Sequence, residues 1–377
     1  MSRGRRAPEL AAQQQAEIDR AMMARALREA RKGRPSPNPH VGAVIARGER
    51  VISVGHHPFA GGPHAEVVAL GAAGKRARGA TLYVTLEPCN HHGRTPPCTD
   101  AVIASGVARV VTGCADPAVK VPGGRARLRR AGIEVVSNVR EPEARAQVAD
   151  FTKFTLRELP YVTLKAAVTL DGRIAARSGD SKWISSVQAR RYAHRMRAES
   201  DAVLVGAGTV QHDDPQLTVR MVRGPQPLRV VLDPSLRTPL KSQIARVSAR
   251  NRTLIFHAKG ASERRKQALL ARGVELVEVR SDRHGRLVLR SVLRELWRRN
   301  VVRLLVEGGS RVHGAFLESG LADHLAVVVA ARVLADPGAV PLASGAPKRR
   351  LAQAFSLVRP SIRRIGPDVL IEGEIAR

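Results

Sequence analysis

Aromatic side chains are scarce in this chain: Phe, Trp and Tyr together make up 3% of 377 residues. Binders of single-stranded nucleic acid stack bases on exposed rings, and this composition is too poor in rings to build such a surface. Cysteine is equally rare, three residues in all. Three thiols cannot staple a disulfide framework, which points to a reducing compartment and a cytoplasmic protein. No apolar run approaches the ~18 residues a membrane helix requires, so no membrane partner is expected. Met1 to Gln15 holds three arginines and no apolar stretch. That is not a secretory signal, and residues 1–16 are expected to form a disordered tail.

Acidic residues are few, 33 against 63 lysines and arginines, for a net charge of +30. Such an excess suits a polyanion, either nucleic acid or a phosphorylated small molecule. The basic residues are scattered, with runs at Arg125 to Arg130, Arg294 to Arg303 and Lys348 to Arg350 and no single stripe. Dedicated nucleic-acid binding is therefore not expected. The length favours two domains, and 44% hydrophobic residues supply their cores.

The chemistry is concentrated between His64 and Cys98. His64-Ala65-Glu66 is followed by Thr85-Leu86-Glu87-Pro88-Cys89 and, after Asn90 to Thr95, by Pro96-Pro97-Cys98. One imidazole and two thiolates suit tetrahedral Zn²⁺, and three protein ligands leave a fourth position for water, as in catalytic sites. Water so bound titrates near pH ~7. Glu66 is not needed as a ligand and is placed to shuttle protons to a leaving amine, the arrangement of zinc nucleobase deaminases. Cys98 opens a helix after two prolines, where the helix N-terminus favours thiolate. Eight residues separate Cys89 from Cys98, where such deaminases usually have two.

Around this motif, Glu17 to Arg31 repeats its apolar residues at helical spacing, and Gly33 ends the helix. Three prolines stiffen the loop carrying Asn38. Strands at Thr81–Leu86, Ala108–Gly113 and Ile133–Val136 alternate with helices, giving a sheet covered on both faces. A helical segment from Glu141 to Glu158 leads to a domain boundary before Pro160. The second half is also α/β, with strands at Tyr161–Lys165, Ala202–Val205, Leu228–Leu232, Thr253–Phe256, Val274–Val279, Val302–Val306 and Leu325–Ala330. Arg190, His194 and Arg197 share one helix face. Gly206-Ala207-Gly208 lacks the third glycine of a dinucleotide fingerprint, since Gln211 stands there. Val306-Glu307-Gly308-Gly309-Ser310 reads as a strand, a glycine turn and a helix start, which can seat a phosphate.

These residues resemble the bifunctional deaminase/reductase family of riboflavin biosynthesis, over about Asp19 to Glu372. The long cysteine spacing fits that resemblance, as do Lys165 to Ile184, Gly206 to Arg220 and Glu307 to Gly314. It implies a cytidine-deaminase-like three-layer α/β/α domain over 17–158 and a dihydrofolate-reductase-like α/β domain over 159–377. It implies deamination of a phosphoribosylamino-diaminopyrimidine, then reduction of the ribosyl side chain to ribityl by NADPH, in a homo-oligomer. Matching positions imply zinc on His64, Cys89 and Cys98, with Glu66 catalytic. Asn38, His57, Arg94 and Asp116 fall where the family contacts the deaminase substrate. Ala167, Trp183, Thr209, Asp213 and the loop Gly309, Ser310, Arg311, Val312, His313, Gly314 and Ala315 fall where it holds NADPH. Ser181, Arg197, Leu217, Arg220 and Glu307 fall where it holds the phosphosugar substrate.

Three positions depart from the family pattern. Ala118 stands where an Asn is usual, so that contact is lost or passes to Lys120 or Arg125. Thr169 replaces a Ser, and Pro234 follows Asp233 where a small hydroxyl residue is common. Two rivals explain less. A zinc-dependent nucleic-acid base deaminase has no use for the second half, and a basic RNA-binding protein has none for Glu66 beside an open ligand position.

Overall fold

Ala, Gln, Leu and Glu, which cost least in a helix, fill Glu9 to Glu17. The structure, a computed structural model describing residues 3–93, 96–118 and 123–376, is helical there. Helix α1 spans Arg3–Ala30, so over residues 3–16 the expected disordered tail is helix instead, good helix formers continuing the amphipathic segment backwards; residues 1 and 2 lie outside the described residues. Gly33 and the prolines at 35, 37 and 39 bar its continuation. The chain forms two units, Met1–Glu158 and Leu159–Arg377.

In the first unit α1 is followed by β1 (Gly42–Arg47), β2 (Arg50–His56), α2 (Ala65–Ala73), β3 (Thr81–Leu86), α3 (Cys98–Ser105), β4 (Arg109–Cys114), α4 (Gly124–Arg130), β5 (Glu134–Val136), α5 (Glu141–Gln147) and α6 (Ala149–Arg157). The sheet order is β2-β1-β3-β4-β5. β1 runs antiparallel to both neighbours, and β3, β4 and β5 are parallel. Two glycines show why helices cover both faces. Ala43 is in register with Gly55, so Gly42, one residue away, faces the opposite side. A Cβ on Gly42 would come within 2.0 Å of the Ala26 carbonyl of α1, and one on Gly55 within 2.4 Å of the Ala65 carbonyl of α2. The helix backbones lie directly on the strands, one on each face. Between them sit Met23, Leu27, Val44, Ala69, Leu82, Val84 and Val110.

The expected helix over 141–158 is two helices, broken at Val148 (φ −109°, ψ 15°). Helix α4 was not legible in Gly-Arg-Ala-Arg-Leu-Arg-Arg, because Leu128 is its single large apolar anchor.

The second unit contains β6 (Tyr161–Thr169), β7 (Arg173–Ala175), α7 (Val187–Ala198), β8 (Ala202–Gly206), α8 (Ala207–Asp213), β9 (Leu228–Leu232), β10 (Thr253–His257), α9 (Glu263–Leu270), β11 (Glu275–Glu278), α10 (Leu289–Arg298), β12 (Arg303–Gly308), α11 (Ser310–Glu318), β13 (His324–Ala330), β14 (Val340–Pro341), β15 (Leu357–Ile365) and β16 (Asp368–Ile375). Nine strands form one sheet in the order β11-β10-β9-β8-β12-β6-β13-β16-β15. The strands from β11 to β13 are mutually parallel, and β16 and β15 close the edge antiparallel. Parallel strands are covered on both faces, here by one cluster around Leu204, Phe256, Leu296 and Phe316 and another around Val205, Leu236, Ile255 and Leu269. β8 and β12 are neighbours. The Gly206–Thr209 and Gly308–Ser310 turns therefore leave their carboxyl ends side by side, where open α/β sheets bind ligands.

Candidate active sites

In the first unit the helix starts and the β3 exit converge. His64 is the N-cap of α2, and Cys98 is the first residue of α3. Cys89 lies on the loop after β3. Their ligand atoms all lie within 4.8 Å of one another. His64 Nδ1 is 2.9 Å from Cys98 Sγ and 3.6 Å from Cys89 Sγ. The Cys98 backbone N–H donates to Cys89 Sγ at 3.3 Å. Two thiols this close share a proton. The hydrogen bond from Cys98 lowers Cys89 to about 4 and raises Cys98 far above the usual thiol range. One thiolate and an imidazole facing it are a cation site, and a divalent ion can displace the remaining thiol proton.

Glu66 is 3% exposed. Burial raises its carboxyl to about 6, and it lies outside the three-ligand cluster. Asn38 Nδ2 and His57 Nε2 are 3.0 Å apart, and the other ring nitrogen of His57 is 3.0 Å from the Pro63 carbonyl. The His57 ring meets that of His64 edge-on, with centroids 5.1 Å apart, so Asn38 and His57 belong to the same site. Asp116 is shifted up by burial, and the negative charge it feels from Cys89 puts it near the ligands. Arg94 lies outside the described residues, as does Lys120.

Ala118 offers only its backbone N–H, donated to Asp116 Oδ1 at 2.9 Å. Arg125 lies against Glu87. Its backbone N–H donates to Glu87 Oε1 at 3.0 Å, and its Nε lies 3.5 Å from Glu87 Oε2, close enough for attraction but outside hydrogen-bond geometry.

The second unit encloses a cavity of about 1380 Å³ over those carboxyl ends. Ala167, Ser181, Trp183, Arg197, Thr209, Asp213, Leu217, Arg220, Glu307, Gly309, Ser310, Arg311, Val312, His313 and Ala315 line it. Gly314 does not. The Ser344 carbonyl oxygen lies 1.9 Å from where its Cβ would stand, so this glycine serves close packing of α11 on the following loop. Ser181 Oγ donates to Asp213 Oδ1 at 3.0 Å, and Lys182 Nζ donates to the Asp213 carbonyl at 2.9 Å. The Arg190 guanidinium lies 4.0 Å over the Trp183 ring. Thr169 keeps its hydroxyl in use, accepting from the Arg173 backbone N–H at 3.0 Å. Pro234 lines the cavity, so the departure there meets the ligand space directly.

Arg197, which the resemblance puts at the phosphosugar, is not an isolated cation. Its Nε and Nη2 donate to the two oxygens of Glu307 at 2.5 and 2.7 Å, and Nη1 donates to the Thr218 carbonyl at 3.0 Å. The pair is largely buried, with side chains 12% and 8% exposed. Burial alone would raise Glu307, but Arg197, helped by Lys165, outweighs it and brings Glu307 down to about 2. Further hydrogens on Nη1 and Nη2 remain for a phosphate. By contrast, Arg220 has no side-chain partner among the described residues, and burial and the Arg197 charge shift it down.

Sequence reasoning assigned no role to Lys165 or His194. Both line the cavity. The ammonium of Lys165 is shifted down by burial, with Glu307 opposing. A lone charge in an otherwise uncharged central strand was the signal that could have found it.

Residues 160–371 match the family described as RibD C-terminal domain, and residues 16–114 match the cytidine and deoxycytidylate deaminase zinc-binding region. The chain is 41% identical to the riboflavin biosynthesis protein RibD of Aquifex aeolicus, across 94% of this chain and 98% of the relative. It is 39% identical to RibD of Escherichia coli, again across 94% and 98%. Among solved structures it resembles the diaminohydroxyphosphoribosylaminopyrimidine deaminase/5-amino-6-(5-phosphoribosylamino)uracil reductase of Thermotoga maritima, at 38% identity, covering 95% of this chain and 98% of that one with a TM-score of 0.82. RibD of Acinetobacter baumannii gives 36% identity, 96% and 100% coverage and a TM-score of 0.83. With a His-Cys-Cys cluster in one unit and a large cavity in the other, the chain belongs to the RibD family, the bifunctional deaminase/reductases of riboflavin biosynthesis.

Proposed function

We propose that residues 17–158 deaminate a phosphoribosylamino-diaminopyrimidine and that 159–377 reduce its ribosyl unit to ribityl with NADPH. The observation that carries the first step is the meeting of His64, Cys89 and Cys98 within 4.8 Å beside a buried carboxyl that is not one of them. The donor set fits zinc, since one imidazole and two sulfurs are its usual borderline-soft ligands. His64, Cys89 and Cys98 would hold the zinc, which would supply an acidified water as nucleophile. Glu66 is placed to relay both protons of an attacking water, one to the adjacent ring nitrogen and one to the exocyclic nitrogen, so that the C–N bond breaks, ammonia leaves and the ring keeps the oxygen as a carbonyl. Its burial keeps the carboxyl close to neutral pH, where one group can both accept and donate. Asn38, His57 and Asp116 hold the ring over Glu66, and Arg94 joins them.

In the second unit the cavity exceeds the ~300–1,000 Å³ typical of a single small ligand, as a site for cofactor and substrate together requires. NADPH supplies the hydride. Thr209, Asp213, Ala167, Trp183, Gly309 and the start of α11, Ser310 to His313 with Ala315, would hold it. Arg220 and the remaining hydrogens of Arg197 meet the substrate phosphate, with Ser181 and Leu217 beside them. The bidentate Glu307–Arg197 pair fixes both side chains, so neither is reorganised when substrate enters. Lys165 lines the cavity beside Glu307.

The free thiols favour a cytoplasmic protein, and by resemblance it works as a homo-oligomer. The test is one assay on the purified chain with the diaminopyrimidine phosphoriboside and NADPH, following ammonia and NADPH loss separately. One ammonia should be released for each NADPH oxidised. Ammonia without NADPH loss, or the reverse, would confine the activity to one unit.

A further inference from the structure

The cation expected to meet the substrate phosphate, Arg220, sits on a segment with no regular structure. Residues 217–220 lie between α8 and β9, and Leu217 has φ 53° while only 2% exposed. Such a strap has no ladder of its own, yet it is pinned residue by residue. Arg197 Nη1 donates to the Thr218 carbonyl at 3.0 Å. Gln226 holds both polar groups of Val219, accepting from its N–H at 2.7 Å and donating to its carbonyl at 2.8 Å. The Arg220 N–H donates to His194 Nδ1 at 3.2 Å. His194 is 4% exposed on α7, one helical turn before Arg197, and it lines the same cavity.

We propose that His194 is a positioning residue of the reductase site: through Nδ1 it fixes the backbone of Arg220 and so aims that guanidinium at the phosphate of the substrate. The inference rests on the reading that Arg220 meets the phosphate. An imidazole does this only while Nδ1 is an acceptor, with the proton on Nε2. The surroundings enforce that form. Burial and the charges of Arg197 and Arg220, with a further contribution from Lys165 and only Glu307 opposing, push His194 down to about 4. A cationic histidine here would turn a donor towards the Arg220 N–H and face several like charges, so the ring stays neutral at physiological pH.

The test exploits bond counting. Asparagine carries its amide oxygen two bonds from Cβ, as histidine carries Nδ1. Glutamine carries it three bonds away, where histidine has Nε2. His194→Asn should keep the KM for the phosphorylated reductase substrate within about twofold of wild type. His194→Gln should raise it about 3–10-fold, the loss expected for one hydrogen bond. In both variants kcat and the KM for NADPH should hold, because a loosened strap weakens ground and transition states alike. Inorganic phosphate, used as a competitive inhibitor, should weaken in parallel with that KM.

A His194→Gln enzyme with unchanged substrate KM would overturn the proposal. So would one that loses kcat and NADPH affinity together, which is the signature of general damage to the site. Gln226→Ala loosens the same strap without touching α7 and serves if His194→Gln does not fold. It too must raise the substrate KM alone, and an unchanged value overturns the proposal. Arg220→Ala separates this inference from the one beneath it. If that variant leaves the KM and phosphate inhibition untouched, the phosphate reading itself has failed. If it raises both while His194→Gln does nothing, only the positioning role has.

Discussion

Replacing Glu307 by Gln removes one charge from the largely buried pair with Arg197 and nearly preserves shape. Glutamate ordinarily titrates near 4.5, and here Arg197 holds it at about 2 against the cost of burial. At about 1.4 kcal/mol for each tenfold change in the proton equilibrium, that depression corresponds to roughly 3 kcal/mol of folding stability. The figure agrees with the ~3–5 kcal/mol lost when one partner of a buried pair is removed. The folded pKa lies below the unfolded one. The contribution is therefore complete above pH ~4.5 and is lost as pH falls from there through about 2; near neutrality all of it is exposed to the mutation. For a unit of roughly 220 residues, with Tm moving ~2–4 °C per kcal/mol, Glu307→Gln should lower Tm by about 6–12 °C. Both tryptophans of the chain, Trp183 and Trp297, lie in the second unit, so tryptophan fluorescence follows that unit alone. The double variant Arg197→Met, Glu307→Leu should recover most of the lost stability, since apolar side chains of similar volume replace buried pairs well, while reductase activity disappears. A single variant that melts within about 2 °C of wild type would refute the reasoning, because Arg197 would then need no counter-charge.

Glu66→Gln should retain zinc at wild-type stoichiometry and slow ammonia release by about 10²–10⁴-fold, the usual contribution of a positioned acid–base group; loss of the metal would make Glu66 a ligand instead. The same protein should still oxidise NADPH when given deaminated substrate, and failure with the fold intact would mean the two activities share one site. Cys89→Ser should abolish stoichiometric zinc binding, read by metal analysis, because the hydroxyl is a far poorer ligand than thiolate. Asp19 is 4% exposed and accepts from Nη1 and Nη2 of Arg109 at 2.7 and 2.8 Å and from the Tyr83 hydroxyl at 3.0 Å. Asp19→Ala leaves those donors buried and should cost about 2–4 kcal/mol, measured as a shortened thermal half-life of deaminase activity. An unchanged half-life would show the network to be redundant.

The two sites were legible to different depths, and the reason is range. The metal cluster could be read from sequence because its chemistry is written in residue types, His, Glu, Cys and Cys, and because Pro96-Pro97 marks where the second helix begins. Nothing about Arg197 said that its partner would be Glu307, 110 positions along the chain. Periodicity reports which face a residue shares, not what packs against that face. The same limit hid the neutral state of His194, which depends on charges from α7, the strap and two strands. It also hid β15, whose interior residues Val358 to Arg364 are all exposed and so carry no apolar alternation.

The net charge of +30 was the least legible property of all, since a count of basic residues does not say where the charge goes. Arg229 is 2% exposed and has no acidic partner among the described residues; it donates instead to the carbonyls of Gln243, Ile244, Arg246, Asn251 and Arg252. A guanidinium spread over that many carbonyl oxygens satisfies backbone groups of an irregular loop that would otherwise be buried unpaired. Burial draws its pKa down to about 10, still well above neutrality, so it counts fully towards the net charge while presenting almost nothing to a polyanion. Arg197 is spent on Glu307, Arg109 on Asp19 and Glu134, and Arg299 on Glu275 and Glu295. The basic excess is partly an internal scaffold, which is why a nucleic-acid partner does not follow from it.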